Sequence, residues 1–189
     1  SVTGVRWELA MLDRDYAAAR RAMDASTAKE LSYTGEGSTP RSFFQGCIAL
    51  AQGDVAGAQK YFQEAEPIFE DAVKEAPSSA IRHANLGWLY AFMGRKEDAI
   101  REGRRAVDLK PESKDAVDGV IVNCYLALIY ARVGEKDQAF ALLGRLLKTP
   151  GAVDSVNYSI TINDLKHRWE WDPIRNDPRF QKLISSSTP

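Results

Sequence analysis

Residues 80–113 read AIRHANLGWLYAFMGRKEDAIREGRRAVDLKPES, and they contain the clearest structural pattern in the chain. Small and large apolar residues recur in it at spacings of three and four, which is the period of an amphipathic helix. Gly94 interrupts the pattern, as a glycine does where a helix closes in the left-handed backbone region. Pro111 ends the second run, because proline cannot continue a helix. The stretch therefore predicts two helices joined by a tight turn.

The same pattern recurs along the chain at a nearly constant interval. Leu86, Gly87, Tyr90, Gly94 and Ala99 are matched downstream by Leu126, Ala127, Tyr130, Gly134 and Ala139. The matching upstream residues are Gly46, Ala49, Gly53 and Ala58, and, more weakly, Trp7, Ala10, Arg14 and Ala19. The equivalent positions 7, 46, 87 and 127 lie 39, 41 and 40 residues apart. Four helix pairs are therefore predicted, with the small residue at 87 or 127 where the helices of a pair cross.

Residues 80–113 resemble the tetratricopeptide repeat, a helix-turn-helix unit of about 34 residues that stacks into an array. The resemblance implies an all-α fold, a right-handed α-α superhelix of about four helix pairs with C-terminal capping helices. We expect one array over residues 1–189. Its units are expected at about 1–33, 39–76, 80–113 and 115–150, with the capping helices at 155–189.

The interval is longer than that of the repeat, so extra residues are expected after each unit. After the first unit they form the loop SYTGEGST at 32–39, which is rich in turn-forming residues. After the second they lengthen a helix over about 55–76 that contains Pro67. After the third, SKDAVD at 113–118 either lengthens the next helix or forms a polar edge loop.

Residues 94–119, GRKEDAIREGRRAVDLKPESKDAVDG, are also similar to the C-terminal repeat regions of bacterial multidomain signalling proteins. In those proteins the repeats follow a serine/threonine kinase, a nucleotide cyclase or a winged-helix DNA-binding domain. The chain begins SVTGVRW, without a methionine or a leader, and we expect it to be a piece of a longer protein. We expect that protein to be cytoplasmic, or extracytoplasmic if a membrane span lies upstream.

The charge balance gives no general attraction to nucleic acid or to an anionic membrane, since 25 basic residues face 26 acidic ones. The basic residues of 95–110 are interleaved with acidic ones, which indicates a solvated helix face. The longest apolar run, residues 120–131, is shorter than the roughly 20 residues that span a bilayer. We therefore expect no nucleic-acid partner and no membrane span in this stretch of chain.

No residues have the spacing of a catalytic or metal-binding set. His83 and His167 are the only histidines, and His83 has no HxxxH or HExxH partner that would place a second ligand on its helix face. Cys47 and Cys124 lie in apolar helical runs, where a thiol packs like a hydrophobic residue and is not activated. We expect no catalysis, no metal and no cofactor. An enzyme is the least favoured alternative.

The first helices of successive units line the concave surface of tetratricopeptide arrays, and the resemblance places a partner site there. The implied groove residues are Phe43, Cys47, Leu50, Ala84, Trp88, Phe92, Cys124, Leu128 and Arg132. This lining is apolar and aromatic, so it suits a helix or extended segment of a protein partner. We expect Trp88 and Phe92 to be the anchors. The alternative for Trp88 is packing in the core, and the alternative function is a sensory region that binds a small apolar ligand and regulates an attached domain.

Ser113, Lys114, Asp115 and Asp118 form a second candidate site, because insertions in repeat proteins map to loops on one face. The alternative interpretation is a helix N-terminus with solvated charges.

The sequence WEWDPIRNDPRF at 169–180 lies beyond the last unit, after a helical run expected at about 155–166. Each Asp-Pro pair predicts a helix start, with the final helix at about 178–184. A terminal unit needs a cover for its apolar side, and this role is expected of Trp169, Trp171, Ile174 and Phe180. The alternative is a ligand-stacking platform.

Overall fold

Eleven α-helices make up most of the part of the chain that the structure describes, a computed structural model covering residues 1–31, 39–149 and 160–185. They are α1 (Val2–Leu12), α2 (Tyr16–Asp24), α3 (Arg41–Ala51), α4 (Val55–Glu75), α5 (Ala80–Phe92), α6 (Lys96–Leu109), α7 (Asp118–Arg132), α8 (Lys136–Leu146), α9 (Ile162–His167), α10 (Asp172–Arg175) and α11 (Pro178–Ser185). A 3₁₀ turn, Trp169–Trp171, precedes α10. The strands β1 (Glu30–Leu31) and β2 (Thr39–Pro40) pair antiparallel, with Leu31 opposite Thr39. The prediction of an all-α fold is confirmed.

The chain divides into two compact units, Ser1–Ala72 and Val73–Pro189. A single array over residues 1–189 therefore stays a prediction. None of the described helices is both long enough and apolar enough to cross a membrane.

Aromatic residues form the core of the first unit. The ring of Trp7 in α1 meets that of Phe44 in α3 edge-on, with 4.9 Å between centroids. Phe43 contacts the rings of Phe62 and Phe69 in α4, at 6.1 and 5.5 Å. A Cβ atom at Gly46 would run into the ring of Phe62, so the small residue permits the close approach of α3 and α4. The long α4 agrees with the helix predicted over about 55–76 and includes Pro67.

Two helix pairs, α5 with α6 and α7 with α8, form the body of the second unit, and α7 packs on both α5 and α6. At Gly87 in α5 a Cβ atom would lie 3.0 Å from the backbone oxygen of Ala99 and 3.0 Å from the backbone nitrogen of Gly103. This confirms the crossing predicted from the small residues. Gly94 and Gly134 close α5 and α7 with φ of +77° and +83°, in the region where glycine costs least.

The C-terminal helices differ in part from the sequence prediction. The final helix begins at Pro178 as predicted, and the Asp177 side chain accepts a hydrogen bond from the Arg179 N–H at 3.0 Å. Asp172 is not the predicted N-cap of α10, because the preceding 3₁₀ turn makes it the first residue of that helix, with φ of −54°. Its carboxylate accepts instead from Arg175 Nε at 2.9 Å. The loop at 32–38 and the start of the helix expected from 155 lie outside the described residues.

Candidate interaction surface

The groove residues predicted in the first unit are mostly interior. Phe43 and Cys47 are buried in α3, and Leu50 near its end is half-buried. Phe43 packs between α3 and α4 through the aromatic contacts described above. The accessible part of this predicted set is therefore Leu50.

The groove residues predicted on α5 and α7 are packed just as closely. Ala84, Cys124 and Leu128 are buried, and Trp88 is 2% exposed. The Trp88 ring meets Tyr125 of α7 edge-on at 5.9 Å and lies 4.9 Å from the Phe92 ring. In this structure Trp88 has the packing role that the alternative interpretation gave it.

Phe92 and Arg132 lie together at the ends of α5 and α7, and a third residue covers them. The Trp169 ring stacks on Phe92, with centroids 5.5 Å apart and an interplanar angle of 19°. The Arg132 guanidinium lies 5.3 Å from the Phe92 centroid and 5.9 Å from that of Trp169, within the range of a cation–π interaction. We call Phe92 and Arg132, with the space that Trp169 fills, the aromatic seat.

Residues 160–185, here the C-terminal segment, are held together by their own hydrogen bonds. Thr161 and Asp164 form a reciprocal capping box at the start of α9. The Arg175 guanidinium donates to the backbone oxygens of Leu165, Lys166 and Arg168 at 3.0, 3.0 and 2.9 Å. These bonds satisfy carbonyl groups at the end of α9 that have no partner within the helix. The segment is therefore a folded element with its own polar network.

The C-terminal segment covers the last helix pair. The 3₁₀ turn and α10 pack on α7, and α11 packs on α8. Arg179 bonds Asp137 of α8 at 2.6 Å and lies 4.4 Å from the Phe140 ring centroid. Trp169, Trp171, Ile174 and Phe180 are all buried. This geometry agrees with the covering role expected of these four residues.

Two indole groups in this cover have no hydrogen-bond acceptor among the described residues. The Nε1 atoms of Trp169 and Trp171 are buried, and neither has an acceptor among the described residues. A buried donor without an acceptor keeps its desolvation cost. The cover therefore buries apolar surface but leaves two indole N–H groups without an acceptor among the described residues.

The second candidate site, at 113–118, is organised as a helix N-terminus. The Asp115 carboxylate accepts from the N–H groups of Val117 and Asp118 at 3.1 and 2.9 Å. The Lys110 ammonium donates to Asp115 at 3.2 Å and also to Asp118. The Asp118 N–H and Lys110 hold the pKa of Asp115 below its ordinary value. Ser113 and Lys114 are exposed.

An open cleft of about 620 Å³ lies between α6 and α8 and was not foreseen from the sequence. Its lining includes Arg101, Arg104 and Arg105, together with Glu97, Asp108 and Glu135. The Arg104 Nε group donates to the Tyr130 hydroxyl at 3.1 Å. The mixed charges agree with the solvated face predicted for residues 95–110.

Three side chains that could take part in chemistry, His83, Cys47 and Cys124, are buried in the interior. His83 is buried, with Nδ1 2.7 Å from Glu102 Oε2 and Nε2 3.0 Å from the Pro77 carbonyl oxygen. Cys47 and Cys124 are free, buried thiols. Burial raises the pKa of Cys124 to about 12, which removes the thiolate that a nucleophile needs. No metal-binding group of His, Cys, Asp and Glu occurs within 1–31, 39–149 and 160–185.

Comparison with known proteins finds a family match for one of these helix pairs. Residues 82–113 match the family model of the tetratricopeptide repeat, and the match covers nearly all of α5 and the whole of α6. No curated protein matches the chain. Together, the match at 82–113 and the helical fold of the described residues support a tetratricopeptide repeat protein.

Proposed function

We propose that the chain is a protein-interaction module that binds a helix or extended segment of a partner protein. The observation that carries this proposal is the tetratricopeptide match over 82–113, since such repeats are general protein-interaction units. The helix pair α7 and α8 repeats the same construction, with the left-handed glycine at Gly134 and a buried Ala139. Adjacent helix pairs of this kind present a preformed surface, so binding needs little reorganisation.

The contact surface we propose is, in each compact unit, the face formed by the first helices of its pairs. In the predicted set, the half-buried residue of this face is Leu50 in the first unit and Arg132 in the second. The buried residues, among them Trp88 and Leu128, support this face from below. Ser113 and Lys114, both exposed, remain a proposed secondary contact at the edge.

We also propose that the module belongs to a larger bacterial signalling or regulatory protein and has no catalysis of its own. The attached domain would be a kinase, a cyclase or a DNA-binding domain, as the similarity of residues 94–119 implies. No observation favours the alternative of a small apolar ligand. The cleft between α6 and α8 is open and lined by charged side chains, whereas a small apolar ligand needs an enclosed apolar pocket.

Peptide selection on the whole chain tests the proposed function. A phage-displayed peptide library is selected on the immobilised protein, and the affinities of synthetic peptides are then measured by calorimetry. We expect Arg132→Ala to weaken the selected peptides by about tenfold, as the loss of an interface arginine does. Arg105→Ala, an exposed change on the outer face of α6, is the matched control.

Circular dichroism must show that both variants keep their helix content. If no peptide is selected, or if the selected peptides respond equally to the two variants, the proposed contact surface is wrong.

A further inference from the structure

The aromatic seat is filled by the chain's own C-terminal segment. We propose that Trp169 occupies the position that an aromatic side chain of the partner takes, so that the C-terminal segment competes with the partner for one surface. This inference rests on the proposed function and adds to it the chemistry of the partner. The partner segment would carry a planar aromatic residue as its anchor.

The geometry of the seat determines this anchor. The two rings are close to parallel, at 19°, and the Arg132 guanidinium approaches both centroids at 5.3 and 5.9 Å. A flat ring that stacks on Phe92 with the Arg132 guanidinium beside both rings gains stacking and cation–π attraction together. An aliphatic side chain fills the same space without either attraction. The seat therefore discriminates in favour of aromatic residues.

The C-terminal segment is built so that it can leave the seat as one piece. Its main polar bonds, from Arg175 to the carbonyl groups of α9 and between Thr161 and Asp164, are internal and survive release. The ion pair from Arg179 to Asp137 holds it to α8 across side chains that are 46% and 89% exposed. Exposed ion pairs stabilise weakly. Release therefore breaks this exposed ion pair and the apolar contacts of the buried side chains, and an incoming partner segment replaces the apolar contacts.

The C-terminal segment does not fit its site perfectly, so a partner segment can bind there with better contacts. The indole N–H groups of Trp169 and Trp171 are buried without acceptors in the described chain. A phenylalanine in the seat has no N–H to bury, and a partner tryptophan with an acceptor of its own pays no such desolvation cost. A partner can therefore exceed the intramolecular segment in contact quality while it uses the same stacking surface.

The test uses a fluorescein-labelled synthetic peptide of residues 165–176, LKHRWEWDPIRN, added to the full chain. Fluorescence anisotropy gives its affinity for the wild-type chain, for Trp169→Ala and for the exposed control Lys166→Ala. We expect the peptide to bind Trp169→Ala at least tenfold more tightly than it binds the wild type or the control. A labelled peptide with alanine at position 169 should bind none of the three chains. A labelled peptide with phenylalanine at that position should bind the Trp169→Ala chain.

Two further variants keep the test decisive if Trp169→Ala unfolds. Trp169→Phe in the chain refills the seat, so the affinity for the peptide should stay at the wild-type level. Asp137→Ala removes only the exposed ion pair and should raise the affinity by about two- to threefold. If a folded Trp169→Ala chain binds the peptide no better than the wild type, or if Asp137→Ala has no effect, the inference is overturned.

The outcome is separable from that of the proposed function. Library peptides that bind the chain without displacing the labelled peptide would leave the interaction module standing and would reject the aromatic seat. Binding of the labelled peptide to Trp169→Ala without any library binder would support the seat and reject the wider function.

Discussion

Gly94 and Gly144 show how one residue type serves opposite purposes at the scale of single residues. Gly94 closes α5 with φ of +77°, and nothing lies within 4 Å of a Cβ atom built there. Gly144 has the same open space but lies in α8 without a positive φ. We therefore expect Gly94→Ala to lower the free energy of unfolding by about 1 kcal/mol. Gly144→Ala should raise it by about 0.5–1 kcal/mol, because alanine favours a helix.

Urea unfolding of the two variants beside the wild type measures both changes. Since the substitution is identical and neither site is crowded, only the backbone conformation differs between them. Changes of the same sign in the two variants would contradict this explanation. The first helix pair lacks the glycine and has Arg14 there with φ of 56°, which is why its match to the pattern was weak.

Cys124 gives a second prediction at this scale. Burial raises its pKa to about 12, so at pH 8 the folded protein holds the thiol in its protonated form. Cys47 is also buried. We expect neither cysteine to react with Ellman's reagent within an hour at pH 8 in the native protein. Both should react within minutes in guanidinium chloride, and fast labelling of a natively folded chain would show that the helices open locally.

At the scale of elements, Asp177 couples the last helix to pH. Its side chain accepts from the Arg179 N–H and guanidinium, at 3.0 Å each, and Arg179 lowers its pKa from 3.8 to about 2. A carboxyl whose pKa is lower in the folded state stabilises the fold above pH 3.8, and this stability is lost as the pH falls toward 2. Asp177→Asn should therefore reduce the fall in melting temperature between pH 4 and pH 2.

Circular dichroism melts at half-unit steps of pH test this expectation. Asp108→Asn serves as the control, because Asp108 is an exposed carboxylate with no ion pair in the described residues of α6. An equal effect of both changes would mean that general charge repulsion, and not the Asp177–Arg179 contact, causes the fall in melting temperature between pH 4 and pH 2.

The ends of the elements were largely predictable from the sequence, because local chemistry determines them. Glycine at 94 and 134 and the Asp177-Pro178 pair stand where α5 and α7 end and where α11 begins. The partner of Trp169 was not predictable. Phe92 lies 77 residues away, between positions 92 and 169, and no local spacing reports a contact of that range. For the same reason the predicted groove anchor Phe92 could not be recognised as covered.

In the second unit as a whole, the apolar surface of α7 and α8 explains two things. The C-terminal segment must cover it, and a partner can compete with the segment for it. The outer side of α7 and α8 has no following helix pair in the described chain, and Trp171, Ile174 and Phe180 bury it. Repeat arrays need such a cover for solubility. If a partner displaces the segment, it must cover this surface itself. Truncation after Lys166 removes the cover without supplying a replacement.

We therefore expect the truncated chain to unfold at a lower temperature and to associate. Ile174 is fully buried, and we expect Ile174→Ala in the full chain to lower the free energy of unfolding by about 2–4 kcal/mol in urea titrations. Light scattering after gel filtration reports the association. Adding the peptide of residues 165–176 at about 100 times its dissociation constant should restore about 2.7 kcal/mol by mass action. A truncated chain that stays monomeric and equally stable would mean that these residues do not cover the unit, and that their burial against α7 serves binding alone.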